Sequence, residues 1–261
     1  MIEPIPFVPD RFRSAAAHYL VGRPAYAPAL ILRVAELCGL DGRGRLLDLG
    51  CGPGQLAAAL APFVTDVLAV DPEPEMLAVG ERLAQGAAVT FRQGSSQDLD
   101  PEWGRFRAVT IGRAFHWMDR AETARRLDAM IEPGGALVLF RVDHLDVPDN
   151  AWRTIFQEAL DTALGESGRS TWRRPGWVRH EAVLLDSPFP AMERIGVVER
   201  RRTPADSLID RALSMSSTTR ARLGAAADGL RDQVKALVAA ASVDGMVTEV
   251  VESVALIARR T

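Results

Sequence analysis

The chain has 261 residues, a formal net charge of −3, and 48% hydrophobic and 25% charged residues. The length suits one large domain, or a domain with a sizeable insertion, and the composition is that of a globular protein. The small excess of acidic residues provides no overall basic field for phosphates, so we expect no nucleic-acid partner. The two cysteines are too few for a disulfide framework, no apolar run approaches a membrane span, and residues 1–6 lack the pattern of a signal peptide. We therefore expect a cytoplasmic protein that does not bind membranes.

Predicted helices and strands alternate from residue 29 to residue 142. Apolar runs bounded by turn residues predict strands, and helical spacing of apolar residues predicts the helices between them. One helix opens with the capping-box pattern Asp119 to Glu122. This order is typical of βαβ units and hence of an α/β fold with a parallel sheet. The predicted elements are helices over 29–37 and 55–63, a helix starting at 119, and strands over 45–49, 67–70, 88–92, 108–111 and 136–142.

The pattern changes near residue 149. An amphipathic helix is predicted through residue 164, and the stretch 165–177 that follows it interrupts the α/β rhythm. Two further strands are predicted over 195–203 and 246–258, with a helical run between them.

The first predicted strand ends in a glycine loop, Gly50-Cys51-Gly52-Pro53-Gly54. Because glycine has no Cβ atom, a ligand can lie directly against this backbone. A strand, a glycine loop and a helix together form a nucleotide-type site at the carboxyl edge of an open α/β sheet. A nicotinamide fingerprint would need glycine where Gln55 stands, and a phosphate loop would need a Lys-Ser or Lys-Thr pair that is missing. Both alternatives are therefore disfavoured.

The segment 47–54, Leu-Asp-Leu-Gly-Cys-Gly-Pro-Gly, resembles the first motif of the class I S-adenosylmethionine-dependent methyltransferases. The resemblance implies a Rossmann-like, seven-stranded, mostly parallel sheet with helices on both faces and an antiparallel last strand. It also implies a helical lid inserted after the fifth strand. The corresponding division of the chain is an N-terminal cover over 1–28, a methyltransferase domain over 29–146 and 190–261, and an acceptor lid over 147–189.

Asp71 ends the second strand about 20 residues past the glycine loop, where a ribose-binding acid belongs. The alternative is that Asp71 caps a helix opened by Pro72. By resemblance, Met76 lies beside the adenine, and Ser95 stands where related enzymes carry an aspartate that accepts from the adenine amino group. The full set predicted to bind the cofactor is Tyr19, Arg23, Asp48, Gly50, Cys51, Gly52, Gly54, Gln55, Asp71, Pro72, Met76, Ser95, Ser96, Gln97, Arg113 and Ala114.

The fourth strand leads into the run Ala114-Phe115-His116-Trp117. This run and the segment 12–26 are similar to a subset of the type 11 methyltransferases that includes relatives of trans-aconitate methyltransferase. In that subset the N-terminal segment covers the cofactor. His116 is the candidate base for an acceptor that carries a proton, and the alternative is an imidazole that packs beside Trp117 and shapes the pocket.

The stretch 165–177 contains tryptophans and arginines where the family builds its lid over the acceptor. Arginine binds carboxylates and tryptophan supplies apolar walls, which predicts an anionic or aromatic acceptor. The alternative is a solvated loop with its tryptophans tucked into the core. The residues predicted to bind the acceptor are Phe115, His116, Trp117, Trp172, Arg173 and Arg174.

The predicted function is transfer of a methyl group from S-adenosylmethionine to an oxygen, nitrogen or carbon of a small molecule by in-line displacement, with S-adenosylhomocysteine as the product. The alternative is a protein of the same fold that binds S-adenosylmethionine or S-adenosylhomocysteine without methyl transfer. We expect a monomer or homodimer. We also expect no metal site, because Asp143-His144-Leu145-Asp146 is better interpreted as a polar loop than as a metal cluster.

Overall fold

The structure is a computed structural model, and it describes residues 15–165 and 177–261. Within these ranges, seven strands form one sheet in the order β3-β2-β1-β4-β5-β7-β6. Strand β7 runs antiparallel to both of its neighbours, and the other strand pairs are parallel, as predicted. The strands are β1 (Arg45–Leu49), β2 (Asp66–Asp71), β3 (Val89–Gln93), β4 (Phe106–Gly112), β5 (Ile131–His144), β6 (Ala191–Pro204) and β7 (Met246–Arg259).

Helices cover both faces of the sheet. In the described ranges they are α1 (Ala16–Gly22), α2 (Pro28–Leu37), α3 (Gln55–Leu60), α4 (Pro74–Leu83), α5 (Arg120–Asp128), α6 (Trp152–Leu164), α7 (His180–Leu185), α8 (Ser207–Leu213), α9 (Arg220–Leu223) and α10 (Ala226–Ala241). Leu46 and Val138 pack on α2 and α3, whereas their neighbours Leu47 and Leu137 face α5 and α7. Strands buried on both faces read as continuous apolar runs, which is why the sequence predicted them.

Several element boundaries differ from the sequence prediction; β5, for example, begins at Ile131 rather than at residue 136. The α-helix after the glycine loop ends at Leu60, and residues 61–63 form a 3₁₀ turn, because Pro62 lacks the N–H that would continue the α-helix. Helix α4 begins at Pro74 rather than Pro72, because a residue before proline is held extended, as Glu73 is here. His144 is not in a loop: it is the last residue of β5 and pairs with Val251 of β7.

A third hydrophobic cluster lies outside the sheet. Trp152 and Phe156 of α6 pack there with Leu208 of α8 and with Leu230 and Val234 of α10. Helix α6 follows β5, whereas α8 and α10 lie between β6 and β7, so two separate stretches of chain build one helical layer. The lid over 147–189 stays a prediction, but in the structure the helices between β6 and β7 share its core.

No helix in the described ranges combines the length and apolarity needed to cross a membrane.

Candidate cofactor and acceptor site

The glycine loop has the same backbone conformation at its three glycines but different surroundings. Gly50, Gly52 and Gly54 have φ of 68°, 54° and 72°, in the left-handed region that other residues rarely adopt. A Cβ atom added to Gly50 would lie 2.7 Å from Cβ of Ala114, so packing excludes any side chain there. Among the described residues, a Cβ atom on Gly52 would meet only Cε1 of Tyr19, at 4.0 Å. Gly52 therefore faces open space beneath α1.

Asp71 connects this loop to the start of α4. Its carboxylate is 8% exposed, and Oδ2 accepts from the Gly52 N–H at 2.7 Å while Oδ1 accepts from the Glu73 N–H at 3.0 Å. The capping interaction considered from the sequence is therefore present, although α4 begins later than Pro72. Burial raises the pKa of Asp71 to about 6. Each carboxylate oxygen has a second acceptor position, so Asp71 retains capacity for a hydroxyl donor.

Asp48 is a buried carboxylate near the end of β1 that links neighbouring elements through hydrogen bonds. It is 1% exposed, and its oxygens accept from the Thr110 hydroxyl at 2.8 Å and the Ala57 N–H at 3.1 Å. These bonds join β1, β4 and α3 directly behind the glycine loop. Burial, with a smaller contribution from the nearby charge of Asp71, raises the pKa of Asp48 to about 7.

Two half-buried arginines, Arg23 and Arg113, lie where α1 meets the end of β4. Arg23 donates through Nη2 to the Ser214 carbonyl at 3.1 Å, and Arg113 donates through Nη2 to the Pro24 carbonyl. Arg23 Nε and Arg113 Nη1 are buried and have no hydrogen-bond partner among the described residues. Burial lowers the pKa of Arg23, and the charge of Arg113 lowers it as well. Buried guanidinium N–H groups without acceptors are costly, so this pair fits a ligand with an anionic group.

The loop after β3 is organised by a residue outside the predicted set. The Ser95 N–H and hydroxyl both donate to Oδ2 of Asp98 at 2.8 Å, and the Gln97 N–H donates to the Ser95 hydroxyl at 3.2 Å. The bonds from Ser95 hold the pKa of Asp98 below its usual range. The charged group of this loop is thus Asp98, and the predicted adenine contact of Ser95 stays a prediction.

The remaining predicted cofactor residues lie on the same edge of the sheet. Met76 is buried against Ala15 and Ala16 at the start of α1, and Gln55 is the first residue of α3. Burial raises the pKa of the Cys51 thiol well above its usual value. Since thiolates are the nucleophilic form, this cysteine is suited to packing rather than chemistry.

A cavity of about 1360 Å³ opens at the carboxyl ends of β4 and β5. It brings together predicted residues of both kinds: Tyr19, Arg23, Arg113 and Ala114 from the cofactor set, and Phe115, His116 and Trp117 from the acceptor set. The other predicted cofactor residues do not line it and lie on the adjoining ends of β1, β2 and β3. Trp172, Arg173 and Arg174 fall outside the described residues.

His116 belongs to an aromatic wall of this cavity. Its ring centroid is 4.5 Å from that of Trp117 and 6.5 Å from that of His180. Phe115 and Trp177 also pack against His180, at 5.2 and 5.8 Å. Burial, together with the charge of Arg120, lowers the pKa of His180 to about 4, which keeps that imidazole neutral. This packing favours a shaping role for His116.

On the opposite wall, sequence reasoning missed a buried ionic network. Glu249 is 1% exposed, and its Oε2 accepts from Arg211 Nη1 at 2.8 Å and lies 2.7 Å from His144 Nε2. Its Oε1 accepts from the Thr203 hydroxyl at 2.5 Å. These bonds hold the pKa of Glu249 far below its usual value despite burial, and burial lowers the pKa of His144. His144 and Glu249 are 105 residues apart, so no local motif links them.

Helix α1 is bonded to this network. Arg211 Nε donates to the Gly22 carbonyl at 2.9 Å, and His18 Nδ1 lies 2.7 Å from Oδ1 of Asp210. A Cβ atom on Gly22 would lie 2.4 Å from the Arg211 backbone nitrogen, so only glycine permits this approach. The cover over the glycine loop and the wall of the cavity are therefore one assembly.

Among the described residues, no group of three or more histidine, cysteine, aspartate and glutamate side chains is arranged to hold a metal ion.

Comparison with known proteins identifies the family. Residues 46–135 match the model of a methyltransferase domain. An uncharacterized methyltransferase of Mycobacterium tuberculosis is 32% identical over 209 residues, which cover 78% of this chain and 76% of that protein. A ubiquinone biosynthesis O-methyltransferase of Azorhizobium caulinodans is 34% identical over 98 residues, which cover 36% of this chain and 39% of that protein.

Solved structures share the fold. One from Anaeromyxobacter dehalogenans, assigned provisionally to the type II methyltransferases, has a TM-score of 0.66 at 23% identity and covers 91% of this chain and 97% of its own. An S-adenosylmethionine-dependent methyltransferase from Geobacter sulfurreducens, in complex with S-adenosylhomocysteine, has a TM-score of 0.51 at 16% identity and covers 97% and 99%. The mycobacterial relative, the matched domain and the glycine-loop motif lead to one conclusion: the chain belongs to the class I S-adenosylmethionine-dependent methyltransferases, and its cofactor is S-adenosylmethionine.

Proposed function

We propose that this enzyme methylates a small-molecule acceptor held in the cavity, by in-line displacement. The observation that carries the proposal is that one cavity is lined by Tyr19, Arg23 and Ala114 from the cofactor side and by Phe115 and Trp117 beyond them. An acceptor there would share its walls with the cofactor. Pockets for small ligands are concave and combine apolar walls with polar groups that fix the ligand's orientation, and this cavity has both kinds of lining.

The cofactor carries a carboxylate, a ribose and a purine, and the described residues offer a group for each. The unpartnered N–H groups of Arg23 and Arg113 suit the carboxylate. Asp71 suits the ribose hydroxyls, and the open side of Gly52 leaves room beneath Tyr19. The proposed adenine neighbours remain Met76 and the loop 95–97. This fit supports the assignment of these residues and defines which substitutions test it.

The residues contribute positioning and exclusion of water. When bound, the cofactor supplies a methyl group on a sulfonium sulfur. The aromatic wall of Phe115, Trp117 and Trp177 orients an acceptor and keeps water from the reacting atoms. His116 packs within this wall, so we assign it to shaping the pocket, and we assign no base unless the acceptor carries a proton at neutral pH.

The test is transfer of labelled methyl from S-adenosylmethionine to pooled small metabolites, with products separated by their lability in mild base. Label in a small-molecule fraction supports the proposal. Binding of S-adenosylhomocysteine without any labelled product across broad pools would instead favour the alternative, a binding protein without transfer activity.

A matched pair of glycine variants shows whether the label depends on the glycine loop. Gly52→Ala and Gly134→Ala both place a side chain at positive φ, and neither added Cβ comes closer than 4.0 Å to an atom of the described ranges. The two variants should therefore lose similar stability, about 1 kcal/mol each. Only Gly52→Ala should lose S-adenosylhomocysteine binding and transfer, because only that Cβ enters the proposed cofactor space. Equal binding by both variants would remove Gly52 from the site.

A further inference from the structure

The cavity is cationic in a chain with a formal net charge of −3. Among the described residues, eight arginines and three carboxylates line it. Glu249 and Glu252 stand close behind the wall, and including them still leaves eight arginines against five carboxylates. The excess is a property of the cavity and not of the protein as a whole.

Three of these arginines form ion pairs with carboxylates, so their charges are balanced within the structure. Arg141 pairs with Asp143, Arg194 pairs with Glu181, and Arg211 pairs with Glu249.

The other five form no ion pair within the described ranges. Arg23 and Arg113 donate only to backbone carbonyls, and both belong to the proposed cofactor site. Arg153, Arg179 and Arg222 are solvent-exposed residues of the cavity lining, and none of them makes a side-chain hydrogen bond with another described residue. These three come from α6, from the residue before α7, and from α9, so they surround the cavity rather than forming one patch. Burial and the charge of Arg211 lower the pKa of Arg153, and the charges of Glu249 and Asp146 oppose this shift only in part.

This excess of arginines over carboxylates should weaken binding of the cofactor when no other ligand is present. The cofactor's sulfonium is itself a cation, and like charges that line one cavity repel each other, the more weakly the better solvent screens them. An anion bound in the same cavity would reverse this effect, because it would attract both the arginines and the sulfonium. The apolar lining from Trp152, Phe156 and Leu223 beside Arg153 and Arg222 suits an apolar body attached to that anion.

We infer that the methyl acceptor is an organic anion, a carboxylate with an apolar or aromatic body, and that Arg153, Arg179 and Arg222 recognise its charge. This inference rests on the proposed function, because it specifies the acceptor of the same site. It differs from the sequence expectation, which placed the anion on Arg173 and Arg174.

The first test uses only the cofactor and its product. The affinities of S-adenosylmethionine and S-adenosylhomocysteine are measured by calorimetry for the wild type and for the variant Arg153→Gln/Arg179→Gln/Arg222→Gln. The matched control is Arg43→Gln/Arg82→Gln/Arg105→Gln, which removes three exposed arginines outside the cavity. The cavity variant should bind the cationic S-adenosylmethionine several-fold more tightly and the uncharged sulfur of S-adenosylhomocysteine unchanged. The control should alter neither.

The second test uses matched acids and amides, benzoate with benzamide and cinnamate with cinnamamide, titrated into protein saturated with S-adenosylhomocysteine. The acid should bind at least about tenfold more tightly than its amide to the wild type and the control, and this preference should vanish in the cavity variant. Equal binding of acid and amide, or an unchanged preference in the cavity variant, overturns the inference. If neither the acid nor its amide binds, the first test decides: the inference is overturned if the ratio of S-adenosylmethionine affinity to S-adenosylhomocysteine affinity is the same in the cavity variant as in the wild type. If wild-type protein fails to bind S-adenosylhomocysteine at all, the proposed function fails instead, and the two failures are thereby distinguished.

Discussion

The two sides of this site are built differently. The proposed cofactor side consists of strand ends and loops that are close in sequence: Asp48, the glycine loop and Asp71 lie within 24 residues. The cavity side combines α1, the end of β5, α8 and β7, and its central bond joins His144 to Glu249, 105 residues away. The first side depends on local backbone geometry, and the second on long-range ionic and apolar packing. Substitutions on the first side should therefore mainly weaken cofactor binding, and substitutions on the second side should mainly lower folding stability.

The largest effect should come from Glu249→Gln. The substitution removes the charge that pairs with Arg211 inside the cavity wall, leaving a buried cation without its partner. Breaking a buried pair costs about 3 to 5 kcal/mol, and chemical denaturation measures it. Asp228→Asn is the control, because its pair with Arg220 is exposed and should contribute less than about 1 kcal/mol. A loss for Glu249→Gln as small as that of the control would show that the wall does not depend on this bond.

Gly50→Ala should cause the second-largest loss of stability, and it should affect both the glycine loop and the cavity side of the site. The added Cβ would lie 2.7 Å from Cβ of Ala114, at a φ of 68°. Overpacking and left-handed strain together should lower the free energy of unfolding by about 3 kcal/mol. Gly134→Ala carries the strain without the clash and should lose about 1 kcal/mol. Similar losses in the two variants would mean that the contact with Ala114 relaxes freely.

Asp71→Asn should spare the cavity wall and weaken the cofactor side. Replacing a charged acceptor by an amide should raise the Kd of S-adenosylhomocysteine about tenfold to a hundredfold, since hydrogen bonds to charged groups contribute about 1.5 to 3 kcal/mol. Asp66→Asn, at the opposite end of the same strand, is the matched control and should leave the Kd unchanged. Calorimetry distinguishes them. An unchanged Kd in Asp71→Asn would assign this carboxylate to the loop alone.

The raised pKa values of Asp48 and Asp71, about 7 and about 6, give opposite pH trends for stability and for binding. Their contribution to stability is fully present below about pH 4, where folded and unfolded carboxyls are both protonated, and it declines as pH rises through 6 and 7. A ribose hydroxyl prefers the ionised acceptor, so the Kd of S-adenosylhomocysteine should fall about tenfold between pH 5 and pH 7. Titration at several pH values measures the trend, which Asp71→Asn should flatten. A rising Kd over this range would contradict the ribose role.

His116→Ala should have the smallest effect. Because His116 packs between Trp117 and His180, its loss should change kcat only a few-fold, with the pH profile retained. Positioned acids and bases contribute about a hundredfold or more, so a loss of that size together with an altered pH profile would instead identify His116 as the base.

The comparison also explains what could be predicted from the sequence. Strand β1 has the bounds predicted for it, 45–49, because an apolar run and a glycine loop define both ends locally. The start of α4 was misplaced by two residues because Pro72 and Pro74 are both acceptable first residues, and only the extended conformation forced on Glu73 decides between them. The bond between Asp98 and Ser95 was visible as an i, i+3 polar pair but was not considered. The network of His144, Arg211 and Glu249 had no local signal, since charges that are far apart in sequence meet only through the tertiary fold.

The close approach at Gly22 couples the two ends of the site. Helix α1 lies over the open side of Gly52, yet Gly22 is bonded to Arg211, and His18 is bonded to Asp210. A displacement of α1 would therefore disturb α8, which lies behind the cavity wall. Thermodynamic linkage is reciprocal for binding: if a ligand at the glycine loop stabilises the docked position of α1, it should raise the affinity of the cavity for a second ligand, and that ligand should raise the affinity at the glycine loop by the same factor.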